Sequence, residues 1–122
     1  LKLQLSNTSG QKIFTEHGPG YVTVSGERFE RPVVVTPQQV LTDWAPQNFA
    51  ALEESHFEYF LAFQPEVVLI GTGTQLQFPH PRLYRQLVEA RIGVEFMDTA
   101  AACRTFDILV SEDRKVVAAI LL

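Results

Sequence analysis

The stretch Val67-Val-Leu-Ile-Gly-Thr-Gly-Thr74 constrains this chain more than any other. Val67 to Ile70 is an apolar run, mostly β-branched, that leads without polar alternation into two glycines. Such a run reads as a strand buried on both faces, the kind found in sheets covered by helices. Glycines at its end let the backbone turn sharply and approach whatever sits there. In an open α/β sheet, ligands bind at the carboxyl ends of the strands. The stretch therefore marks both a fold and a candidate site.

The rest of the chain reads as β-rich first and α/β second. Leu1, Leu3 and Leu5 alternate with Lys2 and Gln4, and Ser6 to Gly10 form a turn cluster. Lys12 to Glu16 is a second short strand, and His17-Gly-Pro-Gly20 breaks it. Tyr21–Val24 and Glu27–Glu30 flank Ser25-Gly26, the pattern of a hairpin. Val33–Val35 is another buried strand. Residues 38–47 read as a loop, followed by a helical turn at Phe49 and Leu52. Ser55 and Glu58 match a capping box for a helix carrying Phe57, Phe60 and Leu61, which Pro65 stops. After the glycines, a loop over 71–80 leads to Pro81 at the first position of a helix. Its stripe is Leu83, Tyr84, Leu87 and Val88. A strand over 92–97, a helix capped at Asp98-Thr99, a charged turn at 112–115 and a final strand Val116–Leu122 complete the chain. Strand, helix and strand in that order predict a right-handed parallel crossover.

Length and charge narrow the function. At 122 residues the expectation is a single domain, with a β-rich layer over 1–36 and an α/β part over 37–122. The net charge is −4 and the ten Lys and Arg are scattered, which argues against nucleic acid or anionic membrane as partners. No apolar run is long enough to form a transmembrane segment. The run Val116–Leu122 is apolar to its end, so a homodimer through an exposed strand edge is one expectation. Cys103 is the single cysteine, which excludes an internal disulfide and fits a reducing compartment. A cytoplasmic location is expected, or a mitochondrial one if a transit segment has been removed ahead of Leu1.

Each candidate site residue has a structural alternative. Gly71-Thr72-Gly73 opens like a dinucleotide fingerprint, with Asp98 near the place of the ribose-binding acid. Leu76 stands where the third glycine belongs, and Pro79 and Pro81 delay the helix. Two readings remain: an anion loop over Gly71, Thr72, Gly73 and Thr74 with Asp98 and Thr99, or a tight strand exit with locally satisfied threonines. Asp98 is first an N-cap and second a chemical acid. Cys103 sits on an apolar stripe, and its default role is a small buried hydrophobe. His80, Cys103 and Arg104 are candidate lining residues. Arg82, Arg85 and Arg91 form a modest basic strip or a solvated face. Trp44 and Phe49 are a protein contact if exposed and a core cluster if buried. His17, His56 and His80 lack ligand spacing, so no metal and no cofactor is expected.

The motif order resembles a small family that includes the mitochondrial respiratory complex I assembly factor 3 and the adipogenesis-associated protein of the same fold. The resemblance is carried by Gly20-Tyr-Val-Thr-Val24, Val33-Val-Val-Thr-Pro37 with Trp44, Pro65–Gly73, Gly93–Thr99 and Ala101–Phe106. It implies a three-layer α/β fold: a β-rich N-terminal hairpin layer, a mixed, mainly parallel central sheet, and flanking helices. It implies no established enzyme activity, and action through protein partners, respiratory complex subunits among them. The form of the last helix looks like the bacterial branch. The leading expectation is thus a non-enzymatic assembly protein. The alternative is a small-molecule or anion binder, or an unrecognised enzyme, at Gly71–Thr74 and Asp98.

Overall fold

The computed structural model describes residues 10–122, so the Leu1–Leu5 alternation and most of the Ser6–Gly10 turn lie outside the described residues. Among the described residues, eight strands form two sheets. β1 (Phe14–Gly18), β2 (Tyr21–Val24) and β3 (Glu27–Phe29) make an antiparallel three-stranded sheet in that order. β4 (Val33–Val35), β5 (Val40–Leu41), β6 (Val67–Thr72), β7 (Gly93–Met97) and β8 (Val116–Leu121) make a five-stranded sheet in the order β5-β4-β8-β6-β7. The β5-β4-β8 side is antiparallel, and β6 pairs in parallel with both β8 and β7. The fold is the mixed α/β architecture expected.

The apolar runs are buried on both faces, and alternate residues enter different cores. Val33, Val35, Val67, Leu69, Val116, Ala118 and Ile120 face one side. There they meet Phe14, Val22 and Val24 of the small sheet, and Ala102, Cys103, Phe106 and Val110 of helix α3 (Thr99–Ser111). Val34, Val68, Ile70, Val117, Ala119 and Leu121 face the other. There they meet Trp44 and Leu52 from the segment after β5, and Phe57, Phe60 and Leu87 from the short helices. Period-2 alternation in strands coated on both sides produces this partition, and it explains why no polar residue interrupts β8, or β6 before its terminal Thr72.

Several local expectations move. Residues 38–47 are not all loop: β5 pairs Leu41 with Val34 and Val40 with Val35. Helix α1 (Glu54–Glu58) has Glu53 as N-cap, two residues before the Ser55 cap expected. The Nδ1 of His56 accepts the Glu53 N–H at 2.9 Å, the role assigned to Glu58. α1 tightens into a 3-10 stretch, Tyr59–Phe63, and ends at Gln64 in the left-handed region, just before Pro65. β6 runs on through Gly71 and Thr72, so the following loop covers only 73–80. The next helix starts as a 3-10 turn, Pro81–Tyr84, and becomes α2 (Arg85–Glu89), with Val88 exposed rather than in the stripe. β8 is flanked by β4 and β6, so the dimer edge expected of Val116–Leu122 does not exist. Its apolar character comes from being central.

Candidate functional site

The ends of β6, β7 and β8 converge, and the Asp98-Thr99 pair at the start of α3 reaches the Gly71 loop as expected. Thr99 holds the junction. Its hydroxyl donates to the Leu121 carbonyl at 2.6 Å and accepts the Gly73 N–H at 2.9 Å. Its own N–H donates to the Gly73 carbonyl at 2.8 Å. One buried threonine therefore ties two strand ends to a helix start. The Thr72 hydroxyl donates to the Gln75 carbonyl at 2.7 Å and accepts the Gln77 N–H at 3.2 Å, folding the loop onto itself. A Cβ on Gly71 would lie 3.0 Å from the Thr99 hydroxyl and 3.1 Å from Ile120, so glycine is there for close approach. Gly73 is needed for its backbone, with φ +98. The threonines satisfy the loop from within, and the Gly73 amide is not free for an anion. Asp98 caps α3, its carboxylate accepting the Ala101 N–H at 2.8 Å.

Beside this junction opens a cleft of about 290 Å³, near the lower end for small-molecule sites. Its walls are Gly73, Thr74, Asp98, Thr99 and Ala100 on one side and, on the other, the end of β1 (His17 and Gly18) with the Pro19-Gly20 turn, Leu122 lying between. The turn residues were absent from the sequence reading of this site. They lie over 50 positions from Gly73 in the chain, and only the packing of the small sheet against α3 brings them there. The break expected at His17-Gly-Pro-Gly20 shortens to Pro19-Gly20, because His17 and Gly18 pair with Val22 and Tyr21, and nothing local says what this end of the hairpin faces.

The other candidate lining residues lie elsewhere. His80 is the N-cap of the Pro81 turn, its Nδ1 accepting the Arg82 N–H at 3.1 Å. Arg104 is exposed on α3, outside the cleft. Cys103 is buried in the core between sheet and helix, and desolvation first, then the Asp107 charge, push its thiol up to about 12. Burial thus favours the neutral thiol over the reactive thiolate. Trp44 is core rather than contact: it is 2% exposed and its indole N–H donates to the His56 carbonyl at 3.0 Å. Phe49 packs half-buried against the same cluster. Asp107, which the sequence reading passed over, accepts the Phe14 N–H at 2.8 Å and ties α3 to the small sheet. Burial raises its carboxyl to about 6, against the opposing pull of that hydrogen bond. No group of three His, Cys, Asp or Glu among the described residues could hold a metal ion.

A second surface is more exposed. β7 is an edge strand, paired only with β6 among the described residues. Phe96 of β7 carries Tyr84 at 5.2 Å and Phe78 at 6.1 Å between ring centroids. Phe57 lies behind them at 5.9 Å from Tyr84. The cluster thus runs from the core to Phe78, which is 69% exposed, with Leu76 also exposed in the same loop and Val88 one turn beyond Tyr84.

Comparison with known proteins places this geometry. Residues 14–121 match a family described as "Protein of unknown function (DUF498/DUF598)". The chain belongs to that family. One family relative, a protein of Francisella tularensis called "13 kDa major membrane protein", is 29% identical over 95% of each chain. Another, the "NADH dehydrogenase [ubiquinone] 1 alpha subcomplex assembly factor 3" of Mus musculus, is 34% identical over 81% of this chain. The match spans 54% of the mouse protein, about half its length. A crystal structure from Bordetella parapertussis matches with TM-score 0.87 and 35% identity, covering 93% of this chain and 97% of that one. A Mth938-like domain from Bordetella pertussis matches with TM-score 0.81 and 29% identity, covering 93% and 87%. No helix among the described residues is long and apolar enough to cross a membrane.

Proposed function

We propose that this chain is an accessory protein that holds a partner protein during assembly of a larger complex, without chemistry of its own. The observation that carries this is the match to an assembly factor over four fifths of the chain (81%). The exposed aromatic surface at Phe78 supports it, because an apolar patch left open on a folded chain is a natural contact site. Respiratory complex subunits are the first partner class to test, as the mouse relative's name directs. The experiment is affinity purification of the tagged chain from its host under gentle cross-linking, with cross-linked residues mapped by mass spectrometry. A stoichiometric partner cross-linked at defined residues is expected. Recovery of the chain alone, with and without cross-linker, overturns the reading.

The cleft favours a second reading, a small-molecule or anion site at Gly73, Thr74, Asp98 and Thr99, closed by His17 to Gly20. Gly71 and Thr72 do not line it and act only through the junction behind Gly73 and Thr99. A metabolite thermal-shift screen tests it. A ligand that raises Tm, and whose effect is lost in His17→Ala, supports it, and a screen without hits removes it.

A further inference from the structure

We propose that the cleft between the end of the β1–β2 hairpin and the start of α3 binds a small organic amine. Its ammonium group pairs with Asp98, and its apolar body lies among Pro19, Ala100 and Leu122. This rests on the second reading above, the small-molecule or anion site, and decides between its two ligand classes.

Hydrogen-bond supply argues against an anion. A bound anion needs free donors, and the donors at the inner end of the cleft are spent. The Gly73 N–H goes to the Thr99 hydroxyl, whose own proton goes to the Leu121 carbonyl. At the start of α3, the Thr99 N–H goes to the Gly73 carbonyl and the Ala101 N–H to the Asp98 carboxylate. Pro19 in the opposite wall has no N–H to give. No Lys or Arg lines the cleft. Acceptor capacity, by contrast, is left over. An ionised carboxylate offers about four lone-pair sites, and the one hydrogen bond of the Asp98 side chain among the described residues is that to Ala101. The two ion pairs among the described residues, Arg28–Glu30 and Arg114–Glu66, leave Asp98 without a cation. The helix start behind it supplies only about half a positive charge, so the carboxylate keeps a net negative field at the cleft.

The walls are built before any ligand arrives. The Thr99 bonds fix one of them. In the other, Gly18 lets the Tyr21 ring lie over the backbone, because a Cβ there would come within 2.4 Å of that ring. The Arg28 guanidinium stacks on the far-reaching Tyr21 ring at 3.9 Å from its centroid. A preformed cleft loses little ordering entropy on binding. Apart from His17, Asp98 and the two threonines, its lining is glycine with Pro19, Ala100 and Leu122, which suits a hydrocarbon body. A volume of about 290 Å³ limits that body to a small one. An apolar body with one ammonium group answers both features: burial for the body, and a charge-assisted hydrogen bond for the carboxylate.

The test is an NMR titration of the intact chain with three probes of one shape: cyclohexylmethylamine, cyclohexylmethanol and cyclohexanecarboxylate. The amine is expected to bind about tenfold tighter than the other two, with amide shifts at Gly18, Gly20, Gly73, Thr74 and Ala100. Asp98→Asn keeps a capping oxygen for α3 and removes the charge, so the fold survives the change. Amine affinity should fall about tenfold in that variant, while the alcohol should bind both chains alike. Carboxylate binding equal to or tighter than the amine's, amine shifts away from the cleft, or unchanged amine affinity in Asp98→Asn would each overturn the amine site. So would an absence of binding by all three probes. The metabolite thermal-shift screen then separates the two readings. A hit of another class that shifts the cleft amides defeats the amine and keeps the cleft; an empty screen defeats both.

Discussion

Two regions of this molecule end in strand termini or edges, and they are built oppositely. At the junction of β6, β8 and α3, every polar group contributed by Thr99 and Gly73 is paired inside the protein, and the glycine at 71 admits no side chain. At β7, a strand edge and an exposed phenylalanine stand open among the described residues. The first region has the look of a ligand motif in sequence and serves as a structural clasp. The second has no motif and carries the surface a partner could use. The lesson is that glycine and threonine next to a buried strand report close approach, and only the direction of their hydrogen bonds tells whether a ligand or the protein itself is approached.

Thr99 is the residue on which the closed junction depends most. Thr99→Val keeps the shape and removes both hydroxyl bonds, leaving the Gly73 N–H and Leu121 carbonyl without that partner in a buried site. A loss of about 3 kcal/mol is expected in urea unfolding, and Thr99→Ser should retain most of the stability. A neutral Thr99→Val would show that the clasp is not closed by the hydroxyl. Gly71→Ala comes next, at about 2 kcal/mol, because its methyl meets the Thr99 hydroxyl, the Thr99 Cα and Ile120 within 3.1 Å. Stability rescue in a Gly71→Ala/Ile120→Val double variant would sharpen the assignment to crowding.

A smaller effect is expected from pH. The Asp107 carboxyl lies at about 6 in the fold and at its ordinary 3.8 in the unfolded chain. Between those values the folded state holds the proton more firmly, so this group favours folding at low pH and that contribution is lost as pH rises through about 6. The carboxyl is half-exposed, so solvent screening keeps the change within about 1 kcal/mol. Urea midpoints of the natural chain and Asp107→Asn, taken at about pH 4 and about pH 7, test the sign. The natural chain should gain on the variant at the lower pH, and a constant gap would refute the linkage. Smallest of all, Phe78→Ser should alter stability by less than about 1 kcal/mol, since most of that ring touches solvent. A larger loss would mean that Phe78 belongs to the core and not to a surface awaiting a partner.

Much of the fold was legible. The buried runs at Val33–Val35, Val67–Ile70 and Val116–Leu122, the Ser25-Gly26 hairpin and the Asp98 cap all carry local signals, set by strand period, turn chemistry and unsatisfied helix amides. The meeting of Asp98 and Thr99 with the glycine loop was legible too, because parallel neighbouring strands place their carboxyl ends together. The site reading went astray where long-range contact decides. Trp44 sits between prolines and charges in sequence, and nothing local shows that His56 supplies its carbonyl partner. His17 to Gly20, the end of β1 and the turn after it, became a cleft wall only through the seating of the small sheet on α3.

By itself, the sequence determined the element types and the double-sided burial of the central strands, since both follow from hydrophobic period and from residues that cap or break local structure. Tertiary structure alone decided that the apolar C-terminal strand is central and not an edge, that Thr99 spends its hydroxyl inside the protein, and that Phe78 rather than Trp44 faces outward. The reason is physical: period and caps act over a few residues, whereas sheet order, hydrogen-bond direction and exposure depend on which distant segments compete for the same place.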